Sequence, residues 1–156
     1  MNFIKILLAI FICQMAGIVG SIFTAKSVAN WYTTLEKPFF NPPSWVFGPV
    51  WILLYALMGI ALYLVYQKIG TGNLVKWALI IFFIHLILNA LWSILFFGMQ
   101  NPGLGFLEII VLWVFIIIVI ILFYKIDART IWLLLPYLLW VSFAMVLNFS
   151  IWRLNS

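Results

Sequence analysis

The distribution of charge along the chain limits its possible folds more than any other feature. Eight basic and three acidic side chains divide the 156 residues into five long apolar stretches. Each stretch is close to the roughly 20 residues that a helix needs to cross ~30 Å of hydrocarbon. A soluble domain carries about 25% charged residues, whereas this chain has 7% charged and 68% hydrophobic residues. The outer surface must therefore face lipid.

The order of the apolar stretches predicts an all-α integral membrane fold, a bundle of five transmembrane helices in one domain covering residues 1–156. The last three connections are short, and short connections require antiparallel neighbours. The first apolar stretch is too long for a secretory signal sequence and is followed by no clear cleavage site, so we predict a retained helix. The predicted helices cover residues 6–25, 46–66, 75–97, 104–124 and 131–152.

The first connection, residues 26–45, differs from the others in length and composition. Long loops in compact domains are usually functional. Three prolines stiffen the backbone, and the loop is rich in aromatic side chains, which a disordered linker lacks. We expect an ordered loop that caps one end of the bundle. The prolines are Pro38, Pro42 and Pro43, and the aromatic residues are Trp31, Tyr32, Phe39, Phe40 and Trp45.

The net charge of +5 does not indicate nucleic-acid binding, because the basic residues are scattered singly near the ends of the apolar stretches. This placement is typical of anchoring at lipid headgroups. Five Lys and Arg residues lie on the N-terminal side of the membrane and three lie on the other side. This bias favours a cytoplasmic N-terminus, with the first connection, called loop 1, outside. Without a targeting extension, a bacterial cell membrane is the expected location.

Several kinds of chemistry lack their sequence motifs. The chain has no phosphate-binding glycine loop, and its single cysteine, Cys13, and single histidine, His85, form no zinc-type spacing. His85 has no plausible nucleophile and acid as triad partners. We therefore expect no metal, no bound cofactor and no conventional hydrolytic or phosphoryl-transfer activity.

Aromatic and polar residues recur at helical spacing in four of the five apolar stretches. An amide that faces acyl chains is costly, so we expect these stripes to point inward. Closed by the aromatic loop, they would form an apolar pocket with a few polar anchors, as small-molecule sites do. The stripes are Gln14, Gly17, Ser21 and Thr24; Trp51, Tyr55, Met58 and Leu62; His85, Asn89, Trp92, Ser93 and Phe96; and Tyr137, Trp140, Ala144 and Asn148.

A purely structural interpretation of the same residues stays open. Inward amides often serve only as hydrogen bonds between helices, and tryptophans at helix ends are ordinary interfacial anchors. Trp51 and Trp140 lie deeper, where pocket and packing roles are equally supported. A lone His85 favours a hydrogen-bonded core residue, and Glu108 is expected either to snorkel to the interface or to pair internally. The tryptophans near predicted helix ends are Trp31, Trp45, Trp77, Trp132 and Trp152.

Three segments together resemble the TspO/MBR family, which comprises bacterial tryptophan-rich sensory proteins and the mitochondrial translocator protein, or peripheral benzodiazepine receptor. Residues 31–63 read WYTTLEKPFFNPPSWVFGPVWILLYALMGIALY and are similar to the family signature. LNALWSILFFG at 88–98 resembles its third-helix motif, and PYLLWVSFAMVLNFSIWRLN at 136–155 resembles its fifth. The resemblance extends over essentially the whole chain.

The resemblance implies a homodimeric membrane receptor that binds porphyrins of the protoporphyrin IX type and benzodiazepine-type ligands under loop 1. It also implies a link to tetrapyrrole regulation and stress responses, with the porphyrin as ligand or substrate rather than cofactor. An alternative is a light-dependent porphyrin-degrading enzyme in which Trp51 and Trp140 are catalytic, and another is a tetrapyrrole or sterol transporter. The ligand-binding residues that the resemblance implies are Tyr32, Pro42, Trp51, Asn89, Trp92, Trp140, Ala144 and Asn148. Tyr55, from the helical stripe of Trp51, completes the predicted ligand-binding set.

Two departures from the family pattern bear on these expectations. Phe149 stands where the animal sterol motif has a tyrosine, so the sequence gives little support for sterol binding. Ile80 and Ile84 replace the Gly-x-x-x-Gly that some relatives carry on the third helix. A dimer formed through that face would need different packing.

Overall fold

The architecture is seen in a computed structural model that describes residues 2–156. Five of its helices are long and apolar enough to cross a membrane, which confirms the predicted all-α bundle. The described helices are α1 (Phe3–Val28), the one-turn α2 (Trp31–Thr34), α3 (Ser44–Tyr66), α4 (Asn73–Ser93), α5 (Pro102–Ile126) and α6 (Thr130–Leu154). The five long helices begin and end within three residues of the predicted ends, except at the end of α4.

Local sequence signals fix several of the helix ends. The Asn101 side chain accepts a hydrogen bond from the Leu104 amide at 3.0 Å, and Pro102 occupies the first turn of α5. An asparagine cap followed by proline is a favoured helix start, because the cap satisfies a free amide and proline needs none. Between α5 and α6, Asp127 accepts hydrogen bonds from the Arg129 side chain, which hold the pKa of that carboxyl below its usual range.

The five long helices form a closed ring in the order α1, α3, α6, α5, α4. Helix α1 packs against α3 and α4, and α5 lies between α4 and α6. The contact of α1 with α3 depends on Gly59, where a Cβ atom would lie 2.4 Å from the Ile10 Cα atom. A small residue at this point allows the two backbones to approach closely, as is common between membrane helices.

The end of α4 differs from the prediction. Residues Ile94–Gly98 form a π-helical turn, although the sequence predicts a regular helix through residue 97. The Met99 amide donates to the Ile94 carbonyl at 2.8 Å and closes this wider turn. Single π turns in α-helices often occur at functional sites. Here the turn presents Phe96 and Phe97 to Tyr32 of the first loop, with ring centroids 6.4 and 5.7 Å away.

Loop 1, residues 29–43, lies over the end of the bundle as an ordered cap. Trp31 packs edge-on against Phe96, and Phe40 contacts Phe143 of α6. The Asn155 side chain accepts a hydrogen bond from the Glu36 amide and donates one to the Glu36 carbonyl, both at 2.9 Å. The loop is thus tied to α6 through both packing and backbone hydrogen bonds.

Candidate functional site

A cavity of about 460 Å³ lies beneath loop 1, between α1, α3, α4 and α6. Its size falls in the range of small-molecule sites, which are about 300–1,000 Å³ and mostly apolar. Eight of the nine predicted ligand-binding residues line it, and Pro42 does not. Pro42 lies in the loop beside the cavity, where its carbonyl accepts a hydrogen bond from the Asn41 side chain at 3.1 Å. The eight are Tyr32, Trp51, Tyr55, Asn89, Trp92, Trp140, Ala144 and Asn148.

The predicted stripes divide between the cavity and the core. Their members nearer to loop 1 line the cavity, and those further from it pack below. The cavity therefore has a floor made by the same helical faces as its walls, as expected where one helical face runs the length of the bundle. Met58 and Leu62 of α3, His85 of α4 and Tyr137 of α6 are buried without lining the cavity.

A chain of hydrogen bonds runs from the cavity floor into the core. Tyr55 Oη donates to Asn89 Oδ1, and Asn89 Nδ2 donates to Tyr137 Oη at 2.8 Å. Tyr137 Oη lies 2.9 Å from His85 Nε2, and His85 Nδ1 lies 3.1 Å from the Phe82 carbonyl. All four side chains are buried. Buried polar groups need such partners, and a satisfied network holds its members in one arrangement.

The tryptophans around the cavity are held by different contacts. The Trp51 ring stacks on Tyr55, with centroids 5.5 Å apart, and meets Tyr137 edge-on at 6.3 Å. Trp92 Nε1 donates to Asn148 Oδ1 at 3.0 Å. The buried Nε1 of Trp140 has no hydrogen-bond partner among the described residues. The Trp140 ring lines the cavity, whereas its indole N–H points into buried surroundings.

Comparison with known proteins places the chain in a family. Residues 9–153 match the sequence model of the TspO/MBR family. The chain belongs to the TspO/MBR family. It is 47% identical over 157 positions to a tryptophan-rich protein TspO from Archaeoglobus fulgidus, with all of both chains covered. It is 35% identical to a human translocator protein, with 88% of this chain and 82% of that protein covered. It is also 38% identical to a tryptophan-rich sensory protein from Cereibacter sphaeroides, over 81% of this chain and 77% of that protein.

As a family member with five spanning helices, the chain is an integral membrane protein. These relatives are named as sensory and translocator proteins, which supports a receptor-like role in the membrane. A receptor-like role agrees with the capped cavity in the bundle.

None of the residues that line the cavity of this TspO/MBR protein carries a formal charge among those described. Among the described residues, loop 1 contributes one ionisable group to this lining, the phenol of Tyr32. Burial raises the pKa of Tyr32 to about 12, although its hydrogen bond to Asn41 acts in the opposite direction. It therefore stays neutral at physiological pH. Within residues 2–156, no three His, Cys, Asp or Glu side chains are grouped to hold a metal ion.

Sequence reasoning missed ten of the cavity-lining residues. Helical spacing could have identified some of them. Phe47 lies four residues before Trp51, and Leu147 and Ile151 follow Ala144 on the same face of α6. The π turn that aims Phe97 at the loop carries no recognisable pattern. The missed residues are Ile18, Gly20, Val28, Ser44, Phe47, Gly48, Ile52, Phe97, Leu147 and Ile151.

Glu108 behaves differently from both alternatives that its position suggests. Its side chain neither reaches the interface nor pairs internally, since it is 7% exposed and both carboxyl oxygens lack a hydrogen-bond partner among the described residues. Trp45, Trp77 and Trp132 are largely exposed, as interfacial anchors are. Trp113, by contrast, is half-buried and donates to Ser142 Oγ at 2.8 Å, which is a packing role.

Proposed function

We propose that this TspO/MBR protein is a membrane receptor that binds porphyrins of the protoporphyrin IX type, and benzodiazepine-type hydrophobic ligands, in the cavity under loop 1. The observation that carries the proposal is the lining of the cavity, which brings the indoles of Trp51 and Trp140 together in an uncharged, mostly apolar space. Flat aromatic rings stack favourably on indole faces. The uncharged ring system of a porphyrin therefore suits this cavity, whereas a small metabolite that is charged throughout does not.

The polar groups of the lining suit the atoms of a macrocycle. Tyr55 Oη donates its proton to Asn89 and keeps a lone pair for a ligand N–H, while the second Nδ2 proton of Asn89 is free of the chain of hydrogen bonds. A few convergent donors and acceptors in an apolar pocket fix the orientation of a ligand rather than supply most of its affinity.

The carboxylates of a porphyrin would remain at the mouth of the cavity. Lys37 lies there, with Nζ 4.9 Å from the centroid of the Tyr32 ring and 2.9 Å from the Leu35 carbonyl. Because Tyr32 itself lines the cavity, this ammonium group is within reach of a carboxylate that emerges beside the phenol. We therefore propose that Lys37, rather than any group in the cavity, binds the carboxylates of the ligand.

The experiment is a protoporphyrin titration of detergent-solubilised protein, followed by absorbance in darkness. Trp51→Leu and Trp140→Leu remove a stacking surface, and each is expected to weaken binding by about two- to twelvefold, the equivalent of an aromatic pair. Trp132→Leu is the matched control, since this indole is 76% exposed and lies at the opposite end of the bundle. Absence of saturable binding by the wild type, or equal weakening in all three variants, would refute the proposal.

A second candidate function is light-dependent degradation of the bound porphyrin. The observation that favours it is the position of Trp51, which lines the cavity and also contacts two tyrosines. An excited porphyrin can take an electron from an indole, which starts an oxidative reaction. Trp51→Phe and Trp140→Phe retain a ring for stacking but are harder to oxidise. Light-dependent loss of the porphyrin absorbance band in the wild type, abolished in both Phe variants, would support the enzymatic function. A spectrum that stays stable under light would support the receptor function alone.

We propose further that the protein lies in a bacterial cell membrane. The distribution of Lys and Arg favours an N-terminus in the cytoplasm. Residues near the C-terminus of α6 lie on the same side as loop 1. In a Cys13→Ala background, a membrane-impermeant thiol reagent should then label Ser156→Cys on whole cells and not Thr71→Cys, which lies at the other end of the bundle. The opposite pattern would reverse the orientation.

A homodimer is the expected assembly, with a link to tetrapyrrole regulation and stress responses as its physiological setting. Ile80 and Ile84, which take the place of a small-residue motif on α4, are 39% and 41% exposed. The proposal predicts a dimeric mass for the purified protein in detergent by light scattering. A monomeric mass at all protein concentrations would contradict it.

A further inference from the structure

The buried chain of hydrogen bonds has a defined direction. The Phe82 carbonyl can only accept, so His85 Nδ1 carries the proton and His85 Nε2 is the acceptor. Tyr137 Oη accepts from Asn89 and must therefore donate its own proton to His85 Nε2, 2.9 Å away. Tyr137 and His85 are each 1% exposed. The result is a phenol whose proton already points at a neutral imidazole in the buried core.

Two tyrosines contact Trp51, and only one of them has a base. Tyr55 stacks on the indole at 5.5 Å, closer than Tyr137 at 6.3 Å. The Tyr55 hydroxyl, however, donates to the amide oxygen of Asn89, which is too weak a base to take a proton from an oxidised phenol. A phenol loses an electron at low potential only when its proton can leave at the same time. Tyr137, with His85 as its partner, meets this requirement and Tyr55 does not.

We propose that Tyr137 and His85 form a redox relay that takes an oxidising equivalent from Trp51. The relay rests on the proposed function, because its oxidant is a light-excited tetrapyrrole bound in the cavity. That ligand takes one electron from Trp51 and becomes its radical anion. The Trp51 radical cation then takes one electron from Tyr137, whose phenolic proton moves to His85 Nε2. The products are a restored Trp51, a neutral tyrosyl radical, an imidazolium ion and the reduced ligand.

The relay separates the oxidised and reduced partners. Direct return of the electron from the ligand to Trp51 is short-range, whereas return to Tyr137 requires a longer electron path and a proton transfer back from His85. The tyrosyl radical is also shielded, since its side chain is buried below the cavity floor. The consequence is a long-lived charge-separated state and protection of the Trp51 indole against irreversible oxidation.

The test is electron paramagnetic resonance of the porphyrin-loaded full-length protein, illuminated without oxygen and frozen. The wild type should give a tyrosyl radical signal. Tyr137→Phe keeps the ring and should lose the signal, and His85→Gln keeps a polar side chain but removes the base and should also lose it. Tyr63→Phe is the matched control and should retain the signal, because Tyr63 is a buried tyrosine at the opposite end of the bundle that does not line the cavity. Circular dichroism and the dark porphyrin titration report whether each variant is folded and loaded.

The outcomes separate failure of the relay from failure of porphyrin binding. If the wild type binds porphyrin but shows no tyrosyl signal, or if the signal survives in Tyr137→Phe or in His85→Gln, the relay is refuted. If the wild type binds no porphyrin, the tryptophans are oxidised instead with azide radicals generated by pulse radiolysis. Electron transfer from Tyr137 to tryptophan is then followed by absorbance, and the same pattern among the variants decides for or against the relay.

Discussion

At the scale of single residues, Glu108 is the most unusual side chain in the bundle. Burying a carboxyl group costs free energy unless hydrogen bonds or an opposite charge compensate, and neither of its oxygens has a partner among the described residues. Native proteins keep such groups rarely, and mostly where they serve a function. A substitution of Glu108 therefore tests whether its carboxyl group destabilises the fold or is stabilised by a partner.

Replacing Glu108 with methionine, which has similar length and no polar oxygen, is expected to raise the free energy of unfolding by about 1–3 kcal/mol, since it removes an uncompensated polar group. Thermal unfolding in detergent measures the effect. Glu36→Gln is the control, because Glu36 is exposed in loop 1 and should leave stability unchanged. A loss of stability in Glu108→Met would show that the carboxyl group has a stabilising partner.

Lys37 provides a second prediction at this scale. Lys37→Gln is expected to weaken binding of protoporphyrin, whose carboxylates carry charge, and to leave binding of its dimethyl ester unchanged, because the ester has no charge for the lysine to pair with. The difference should shrink as salt is added. Parallel absorbance titrations of both ligands measure it, with Lys76→Gln at the other end of the bundle as control. Equal weakening for both ligands would exclude an electrostatic role.

At the scale of elements, the helices approach one another as closely as their small residues allow. Gly17 of α1 lies against the ring of Tyr55, and Gly20 lies against the Ser93 side chain. These contacts set the width of the cavity, because both glycines also line it. The closest approach of backbones lies further from loop 1, at Gly59, and fixes α1 on α3 at the level of the core.

Gly59→Ala is expected to destabilise the protein by about 1–3 kcal/mol, because the new methyl group would meet backbone atoms of Ile10, which cannot move aside as a flexible side chain would. Thermal unfolding measures the loss. Gly48→Ala in the same helix is the matched control: no atom lies within 4 Å of its Cβ position, and alanine favours a helix. Comparable loss in both variants would indicate a general effect of removing glycine from α3.

At the scale of the whole molecule, loop 1 closes the cavity by contacts with elements far away in the chain. Just before the loop, in the last turn of α1, Ser27 Oγ donates to the Phe97 carbonyl at 2.6 Å. Within the loop, the backbone of Glu36 makes two hydrogen bonds with the Asn155 side chain. A bound ligand must leave either past this cap or through the gaps between helices. If it leaves past the cap, the hydrogen bonds that hold the cap should affect the rate of ligand exchange more than the contacts between the cavity and the ligand do.

Asn155→Ala replaces no cavity-lining residue, although it also removes the hydrogen bond from Asn155 Nδ2 to the Ile151 carbonyl of α6. Its main effect is the loss of both hydrogen bonds to Glu36. Each such bond contributes about 0.5–1.5 kcal/mol, so we expect porphyrin dissociation to become about five- to a hundredfold faster if the cap must open for release. Stopped-flow displacement measures the rate, with Asn73→Ala at the opposite end as control. An unchanged rate would show that ligands leave between the helices instead.

The sequence by itself determined the membrane bundle and much of the cavity lining. Apolar length fixes which segments span lipid, and helical spacing fixes which residues share a face, since both depend on local geometry alone. Seven of the eight residues taken from the family resemblance line the cavity, as does Tyr55, which helical spacing predicted, whereas Pro42 does not.

Only the tertiary structure decided where each stripe passes from cavity to core, because that depends on how neighbouring helices cross. It therefore separated His85 and Tyr137 from the ligand space and joined them in one directed chain. It also left Glu108 unpartnered and brought Asn155 to Glu36, 119 positions away in the sequence. Contacts between distant segments follow from the packing of the whole ring, which no local pattern encodes.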